Sequence, residues 1–343
     1  MEQYQTLKDL IKFNTIKDKQ NEEIINYIEE KLIQKGLKTE RKEKYLIMAT
    51  EQEPALGFLG HTDTVEYIEG WKTNPFELTK KENNLYGLGV ADMKGGMAAM
   101  LDAISKTDFS KLKRGMKLYF TYDEEIGFGG IYDIVKSNEK FPEVMIFGEP
   151  TDNEILVGSK GILEIEISFK GIKAHSSNPE KGKSANINAI KFLYELNQFY
   201  NEEIKKDSNK KYEIPYTTMN IGLIKGGSAK NSVPANCEAT VDFRVIKSDH
   251  IKRLKEKLGD LGQKYDCSIN IFEEIEPFYN EITFAPNAKT ANFITEASLV
   301  KNSQRIILGA GPVTAHEVNE HITEQSYNLL VEQYKSIIEK ICM

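Results

Sequence analysis

In the stretch Gly57-Phe58-Leu59-Gly60-His61-Thr62-Asp63, the apolar run 55–59 is followed by a cluster of polar side chains. Short continuous apolar runs are typical of strands that are buried on both faces of a parallel sheet. Three further runs, at 116–122, 143–147 and 304–308, also lead into polar or glycine-rich residues. Because helical periodicity separates several of these runs, the sequence predicts an α/β fold with a mostly parallel sheet.

The middle of the chain has a different pattern. From Leu163 to Phe169, apolar and polar residues alternate with period two, as in a sheet with one solvated face. A helix near 185–206, two strands, a helix near 249–262 and a last strand near 267–274 give the β-α-β-β-α-β order of a ferredoxin-like fold. The sequence therefore predicts an inserted α+β domain at 162–274. The outer domain around it is predicted to comprise 1–161 and 275–343.

The composition excludes several classes of protein. The chain carries a net charge of −7 and has a pI near 5.5, which argues against an electrostatic nucleic-acid binder. It contains no apolar run of about 18 residues and begins without the pattern of a secretory signal, so we expect no membrane span and no secretion. The three cysteines, Cys237, Cys267 and Cys342, lack CxxC spacing, which favours free thiols and a cytoplasmic protein.

Acidic residues and histidines follow the ends of the predicted outer-domain strands. They are His61, Glu124, Glu125, Glu149 and, a little beyond the last strand, His316. Ligands bind at the carboxyl ends of the strands in open α/β sheets, so we expect these side chains to meet in one crevice, joined by Asp92. A single histidine or acidic pair would more often be structural or solvent-exposed, but the shared position disfavours that interpretation. Imidazoles and carboxylates without cysteine favour a divalent metal ion, zinc before others.

Five ordered motifs resemble the M20 family of metallopeptidases and deacylases, and together they span nearly the whole chain. The motifs are His61-Thr62-Asp63-Thr64-Val65, Ala91-Asp92-Met93-Lys94-Gly95-Gly96, Asp123-Glu124-Glu125-Ile126-Gly127, Gly148-Glu149-Pro150-Thr151 and Ala315-His316-x-x-Asn319-Glu320. Thr295-Glu296-Ala297 ahead of Leu308-Gly309-x-Gly311 resembles the acetylornithine deacetylase branch more than the succinyl-diaminopimelate desuccinylase branch. The inserted domain resembles the lid and dimerisation domain of the family, which implies a homodimer.

The resemblance implies a site for two divalent metal ions per chain. Zinc is the first candidate, and cobalt or manganese are alternatives. Asp92 would bridge the two ions. His61 and Glu149 would complete the coordination of one ion, and Glu125 and His316 that of the other.

Five further residues receive roles from the same resemblance. Asp63 would fix the tautomer of the histidine that precedes it by two positions. Glu124 would be the general base, and His175 would stabilise the tetrahedral oxyanion from its own chain or from a partner subunit. Arg244 and Asn231 would contact substrate, because a planar guanidinium suits the bidentate capture of a carboxylate. An ordinary ion pair with a nearby acid of the inserted domain is the alternative for the arginine.

These assignments predict a hydrolase that cleaves the amide bond of an N-acyl amino acid through a metal-bridging hydroxide and a glutamate base, in the manner of acetylornithine deacetylases. A di- or tripeptidase and a succinyl-diaminopimelate desuccinylase are the alternatives within the family. A metal-binding protein without catalysis is the alternative outside it, which Glu124 disfavours because simple binding needs no free base. Leu88 and Glu66 depart from the family pattern and weaken assignment to one substrate subgroup. His250 and His321 are expected at the surface.

Overall fold

The computed structural model describes residues 2–17, 21–282, 285 and 288–343. In chain order, its strands are β1 (Lys38–Arg41), β2 (Tyr45–Ala49), β3 (Pro54–His61), β4 (Thr79–Lys81), β5 (Asn84–Tyr86), β6 (Gly115–Thr121), β7 (Val144–Phe147), β8 (Leu156–Ser159), β9 (Gly161–Lys170), β10 (Thr218–Gly226), β11 (Asn236–Val245), β12 (Cys267–Ile275), β13 (Phe278–Tyr279), β14 (Lys289–Ala291), β15 (Gln304–Ile307) and β16 (His321–Thr323). Its α-helices are α1 (Gln5–Ile11), α2 (Asn21–Ile33), α3 (Lys94–Ser105), α4 (Glu124–Gly127), α5 (Gly129–Lys136), α6 (Ala185–Phe199), α7 (Ser248–Tyr265) and α8 (Glu324–Cys342).

The chain divides into two compact units. The first comprises the chain up to Val157 with Asn280–Ala288 and Thr295–Met343, and the second comprises Gly158–Tyr279 with Lys289–Ile294. The predicted insertion 162–274 lies inside the second unit, which is a few residues wider at each end. The second unit also includes Lys289–Ile294, which the sequence pattern predicts in the outer domain. There the carbonyl oxygen of Ala291 accepts a backbone hydrogen bond from Lys160 (3.3 Å).

The first unit contains a mixed sheet with parallel central strands. The strand order is β1-β2-β6-β3-β7-β15, in which β6, β3, β7 and β15 are parallel and β1 and β2 are antiparallel to their neighbours. Each predicted buried run forms one of these four parallel strands, so the prediction of a mostly parallel α/β fold is confirmed. The carboxyl ends of the four strands consequently lie along one edge of the sheet.

Helices cover this sheet with apolar side chains. Helices α3 and α8 pack on β3 and on each other, α1 packs on α3, and α2 and α5 contact β2. A Cβ atom at Gly96 would lie 2.1 Å from the carbonyl oxygen of Gly148, so only glycine permits this close approach of α3 to the segment after β7. This contact places the first turn of α3 beside the carboxyl ends of the strands.

The second unit has the order β9-α6-β10-β11-α7-β12. Its sheet order is β10-β11-β9-β12, and all neighbouring strands are antiparallel. Every second residue of β9 from Leu163 to Phe169 is buried in a core that includes side chains of α6 and α7, whereas the residues between them are partly exposed. The ferredoxin-like prediction is therefore confirmed. Helix α6 ends at Phe199 and passes into a π-helical turn at Tyr200–Ile204.

One expectation about the surface is wrong. The His250 side chain is fully buried, with Nε2 2.9 Å from Asp207 Oδ2 and Nδ1 2.6 Å from Thr217 Oγ1. Burial lowers the pKa of His250, although its hydrogen bond with Asp207 opposes that change. His321 is half-buried, and its ring lies against that of Tyr86 with centroids 5.1 Å apart.

Two further features concern the helices and the cysteines. None of the helices in the described ranges carries an apolar stretch long enough to cross a bilayer. All three cysteines are free thiols, and Cys237 and Cys342 are buried.

Candidate metal centre

Six of the predicted site residues lie close together in the first unit, at the ends of strands and in two loops. His61 is the last residue of β3, Glu149 lies just beyond β7, and Glu124 and Glu125 form the first turn of α4 after β6. The remaining two, Asp92 and His316, lie in the loops that precede α3 and β16.

Asp92 faces two imidazoles through its two different carboxylate oxygens. Oδ1 lies 3.2 Å from His61 Nε2, and Oδ2 lies 3.5 Å from His316 Nε2. Glu149 Oε2 is 3.9 Å from the same nitrogen of His61, and Glu125 Oε2 is 3.3 Å from that of His316. The ligand atoms therefore form two groups that share Asp92: the His61 triplet (His61, Asp92, Glu149) and the His316 triplet (Asp92, Glu125, His316).

Glu124 lies beside these triplets without belonging to either. Its Oε2 atom is 4.0 Å from His61 Nε2, and these two residues form a further possible ligand group with Glu125. Burial raises the pKa of Glu124 well above its usual value, as it does for Glu149. A buried carboxyl group with a raised pKa is suited to accepting a proton and returning it.

Asp63 connects the end of β3 to the start of α4. Its Oδ2 atom accepts a hydrogen bond from the Glu125 amide (3.0 Å), and Oδ1 lies 3.5 Å from His61 Nδ1. Burial alone would lower the pKa of His61, but hydrogen bonds with Asp63 and Asp92 outweigh it and hold that pKa well above its usual value. His61 Nδ1 lies within hydrogen-bond distance of the Asp63 carbonyl oxygen (3.1 Å) and Nε2 faces Asp92, which is the arrangement of a metal-ligating histidine whose other ring nitrogen is held by the protein.

The chemistry of the donor set fits divalent metal ions. Its carboxylates outnumber its imidazoles, and protons balance part of the negative charge. Hydrogen bonds with Asp92 and Glu125 raise the pKa of His316 to about 10, and Glu124 and Glu149 are protonated more easily than free glutamates. Two divalent cations would balance the same negative charge. Nitrogen and oxygen donors without sulfur suit zinc, cobalt or manganese.

Glu320 belongs to the His316 motif, but its position in the sequence predicts no role for it. Its buried carboxylate accepts backbone hydrogen bonds from Gly89 (2.7 Å), Ala91 (2.7 Å) and Asp92 (3.0 Å). Burial raises the pKa of Glu320 to about 7, although these three hydrogen bonds oppose the rise. The carboxylate therefore fixes the loop that presents the shared Asp92 carboxylate to both imidazoles.

We expect Glu320→Gln to weaken the binding of divalent metal ions by about 10- to 100-fold, the usual cost of losing a group that holds a metal ligand. An amide offers one acceptor oxygen to three N–H donors, so the loop around Asp92 should loosen. Competition with a chromogenic chelator measures the zinc affinity. Glu317→Gln alters an exposed acid of the same loop and serves as the control. Equal losses in the two variants would contradict the role of Glu320.

Glu296 and Lys94 are among the further charged side chains that are buried in the first unit outside the two triplets. Glu296 accepts a hydrogen bond from Thr121 Oγ1 (3.0 Å) at the end of β6, and burial raises its pKa to about 7. Lys94 Nζ donates to the Phe13 carbonyl oxygen (2.8 Å), and burial lowers its pKa to about 7. Both groups therefore carry less than a full charge near neutral pH.

His175 and Asn231 lie on neighbouring segments of the second unit. The Ser176 amide donates to the Asn231 carbonyl oxygen (3.0 Å), and the backbones of His175 and Ser232 form a bridge. The Ser177 amide donates to His175 Nδ1 (3.2 Å). Because Nδ1 accepts this hydrogen bond, the proton of the neutral imidazole lies on Nε2, where it is available for donation.

Arg244 is paired with Asp242 in the second unit. Its Nε atom donates to Asp242 Oδ1 (3.1 Å), and an Nη2 atom lies 3.0 Å from Oδ2. The structure thus contains the ion pair that the sequence leaves open as the alternative to substrate binding. The two side chains are 37% and 28% exposed, and ion pairs at such positions contribute little stability, so the guanidinium could exchange this carboxylate for another.

Comparisons with known proteins agree with this architecture. Residues 157–265 match the model of the M20 peptidase dimerisation domain. The chain is 31% identical over 362 residues to the acetylornithine deacetylase of Pasteurella multocida and 33% identical over 358 residues to that of Photorhabdus laumondii, in each case covering 95% of this chain and 92% of the relative.

Solved structures share the fold at lower identity. A tripeptidase from Staphylococcus aureus superposes with a TM-score of 0.80 at 23% identity, covering 99% of this chain and 98% of that one. The YxeP protein of Bacillus subtilis, described as a dinuclear metal binding peptidase from the M20 family, superposes with a TM-score of 0.72 at 12% identity, covering 98% of this chain and 97% of that one.

Proposed function

The chain belongs to the M20 family of metallopeptidases and deacylases, and we propose from this premise that it is a dinuclear metal-dependent hydrolase that removes the acetyl group from an N-acetyl amino acid. The observation that carries the proposal is the position of Asp92, whose two oxygens face two imidazoles that each have a further carboxylate nearby. The relatives named acetylornithine deacetylase favour a deacetylase over a peptidase. The three free thiols favour a cytoplasmic location.

The two triplets are our proposed metal sites. The His61 triplet would hold one ion and the His316 triplet the other, with Asp92 common to both. Zinc is the first candidate, followed by cobalt and manganese. Such ions, when bound, polarise a carbonyl group and make a water molecule easier to deprotonate.

The side chains of this protein would carry the proton and hold the substrate. Glu124 accepts a proton from water as the water oxygen adds to the carbonyl carbon, and it returns that proton to nitrogen as the C–N bond breaks. Acetate and a free amino acid are the products. His175 Nε2–H, from its own chain or from a partner subunit, donates to the developing oxyanion, while Arg244 binds the α-carboxylate and Asn231 makes a further substrate contact. Asp63 holds the His61 ring in its ligating orientation.

A panel of substrates tests the proposed reaction. Hydrolysis of N-acetylornithine, other N-acetyl amino acids, N-succinyl-diaminopimelate and dipeptides is measured with Zn²⁺, Co²⁺ and Mn²⁺. We expect the highest kcat/KM for an N-acetyl amino acid. A higher value for a dipeptide or the succinyl compound would support the corresponding alternative, and no hydrolysis of any compound would contradict the proposal.

We expect Arg244→Lys to raise KM by about tenfold or more for substrates with a free α-carboxylate, because lysine cannot form the paired hydrogen bonds of a guanidinium. Steady-state kinetics with each substrate and its α-amide measure the effect. Asp242→Asn is the matched control, since it removes the present partner of Arg244 and should leave KM unraised. Equal increases for the acid and the amide in Arg244→Lys would show that the assignment is incorrect.

We propose that the second unit forms a homodimer. Ile187, Ile190 and Tyr194 are 49–62% exposed and lie at helical spacing on α6, so they form an apolar stripe. Leu223 and Ile224 are exposed on β10, an edge strand of the sheet. Exposed apolar stripes and open sheet edges are typical of association surfaces.

We expect Ile190→Glu to convert a dimer into a monomer, because a charge in the centre of an apolar contact must be buried without a partner. Sedimentation equilibrium gives the mass directly. Leu329→Glu, on the exposed face of α8 in the first unit, is the control that should remain dimeric. A monomeric unmodified protein, or an unchanged dimer in Ile190→Glu, would contradict this interface.

A further inference from the structure

The helical turn α4, which carries Glu124 and Glu125, has little apolar packing of its own. It is four residues long, and its only apolar side chain, that of Ile126, is 68% exposed. Segments with few buried apolar contacts open more easily than the strands and longer helices of the same protein. The position of this turn must therefore depend on polar contacts at its start.

Two carboxylates make such contacts. Asp63 accepts a hydrogen bond from the Glu125 amide (3.0 Å). The second carboxylate belongs to Asp123, the residue before the turn, and it forms an ion pair with the Lys44 ammonium group. The Asp123 side chain is 8% exposed, and its Oδ1 atom is buried without a hydrogen-bond partner among the described residues. Lys44 thus supplies a positive charge to a carboxylate that is largely shielded from water.

The fold brings Lys44 to this position. Lys44 directly precedes β2, and β2 pairs with β6 so that Tyr45 lies opposite Thr121, the last residue of β6. The lysine consequently lies beside the residues that follow β6. A Cβ atom at Gly129 would lie 2.8 Å from Asp123 Oδ2 and 3.0 Å from Lys44 Nζ, so the ion pair packs closely against the first residue of α5.

Asp123 also determines the direction of the chain where β6 ends. Its φ of +68° lies in the left-handed region, which is uncommon for a residue with a Cβ atom, although aspartate adopts it more readily than most. Such a conformation costs free energy and persists when the surrounding contacts fix it. The ion pair with Lys44 is one of these contacts, because it holds the Asp123 side chain at the point where the backbone turns towards Glu124.

We propose that Lys44 is a positioning residue: through its ion pair with Asp123, it fixes the turn that places Glu124 as the general base and Glu125 as a metal ligand. Without the ammonium group, the Asp123 carboxylate would be buried and unpaired, so the turn would have to move to expose it to water. The inference rests on the proposed function, since it gives Lys44 a role in a reaction whose base is Glu124.

We expect Lys44→Met to lower kcat by about 10- to 100-fold at saturating metal, because a displacement of a reacting group by about 1 Å has an effect of that size. Methionine keeps the length of the side chain and removes its charge. KM should stay within about threefold, since Arg244 and Asn231, the proposed substrate contacts, belong to the second unit. Lys44→Arg keeps the positive charge and should retain kcat within about threefold. Steady-state kinetics of the three proteins give these values.

Hydrogen–deuterium exchange, followed by mass spectrometry, tests the position of the turn without any substrate. We expect the amides of 123–129 to exchange at least about tenfold faster in Lys44→Met than in the unmodified protein, because the turn opens more often when the ion pair is lost. Lys117→Met is the matched control, since Lys117 lies on β6 and forms an ion pair with Glu139. It should reduce stability and leave both kcat and the exchange of 123–129 unchanged.

A double-substitution cycle separates the ion pair from other effects of losing Lys44. Asp123→Asn removes the carboxylate, and asparagine tolerates the left-handed backbone. In this background, Lys44→Met should lower kcat by less than about threefold, because no buried charge is left unpaired. An equal loss of kcat with and without the Asp123 carboxylate would show that Lys44 does not act through the pair.

Unchanged kcat in Lys44→Met, unchanged exchange of 123–129, or equal losses in the two backgrounds of the cycle would overturn the proposal. Failure of the proposed function gives a different result, in which the unmodified protein hydrolyses no substrate. Exchange alone then decides the role of Lys44. Faster exchange in Lys44→Met would retain Lys44 as the residue that fixes the turn, and equal exchange would overturn it.

Discussion

Glu124→Gln is expected to lower kcat by about 10²- to 10⁴-fold, the usual contribution of a positioned general base. The glutamine keeps the size of the side chain and cannot accept and return the proton. Glu124 lies outside both triplets, 4.0 Å from His61 Nε2, so the metal content should remain that of the unmodified protein. Initial rates and metal analysis of the same preparation give the two values together.

Glu139→Gln is the matched control for that variant. Glu139 is a partly buried acid that accepts hydrogen bonds from Lys117 and Tyr119, away from the two triplets. Its substitution should reduce stability and leave kcat within about twofold. An unchanged kcat in Glu124→Gln would remove this residue as the base, and loss of the metals would instead make it a ligand.

Asp92→Asn is expected to release both metal ions and to lower activity by about 10³-fold or more, because metal ions contribute several kcal/mol to such reactions. The two oxygens of Asp92 face different imidazoles, so one substitution weakens both triplets. Glu149→Gln alters the His61 triplet alone and should retain close to one ion per chain. Metal analysis after dialysis distinguishes the two variants.

Asp102→Asn is the matched control for Asp92→Asn. Asp102 lies on α3, and its carboxylate accepts hydrogen bonds from Thr6 and Tyr327. This variant should unfold at a lower temperature and bind its full complement of metal. One retained ion in Asp92→Asn would show that Asp92 serves a single metal site.

The sequence predicts the frame of the first unit because its central strands are buried on both faces. Such strands appear as short apolar runs, and β3, β6, β7 and β15 all lie where those runs predict them. Short strands have no comparable pattern. The three-residue strand β14 is held by backbone pairing and by a hydrogen bond from Thr290 Oγ1 to the Lys211 carbonyl oxygen, so its placement in the second unit depends on tertiary contacts.

The same distinction applies to the candidate site. Residues at strand ends could be proposed as neighbours because parallel strands end at the same edge of a sheet. No sequence pattern predicts a role for Glu320. Its carboxylate accepts hydrogen bonds from backbone amides of a loop that is distant in the sequence. A sequence pattern does indicate that His250 is buried. It lies four residues before Leu254 on α7, and Leu258 continues this helical spacing on the buried face.

The most direct test of a dinuclear metal-dependent hydrolase is the number of zinc ions that the metal-stripped protein binds, measured together with its rate of N-acetyl amino acid hydrolysis during reconstitution. We expect binding to saturate close to two ions per chain, and we expect hydrolysis to be lost on stripping and restored by zinc. Failure to bind zinc after reconstitution, or full hydrolysis by the stripped protein, would contradict a dinuclear metal-dependent hydrolase.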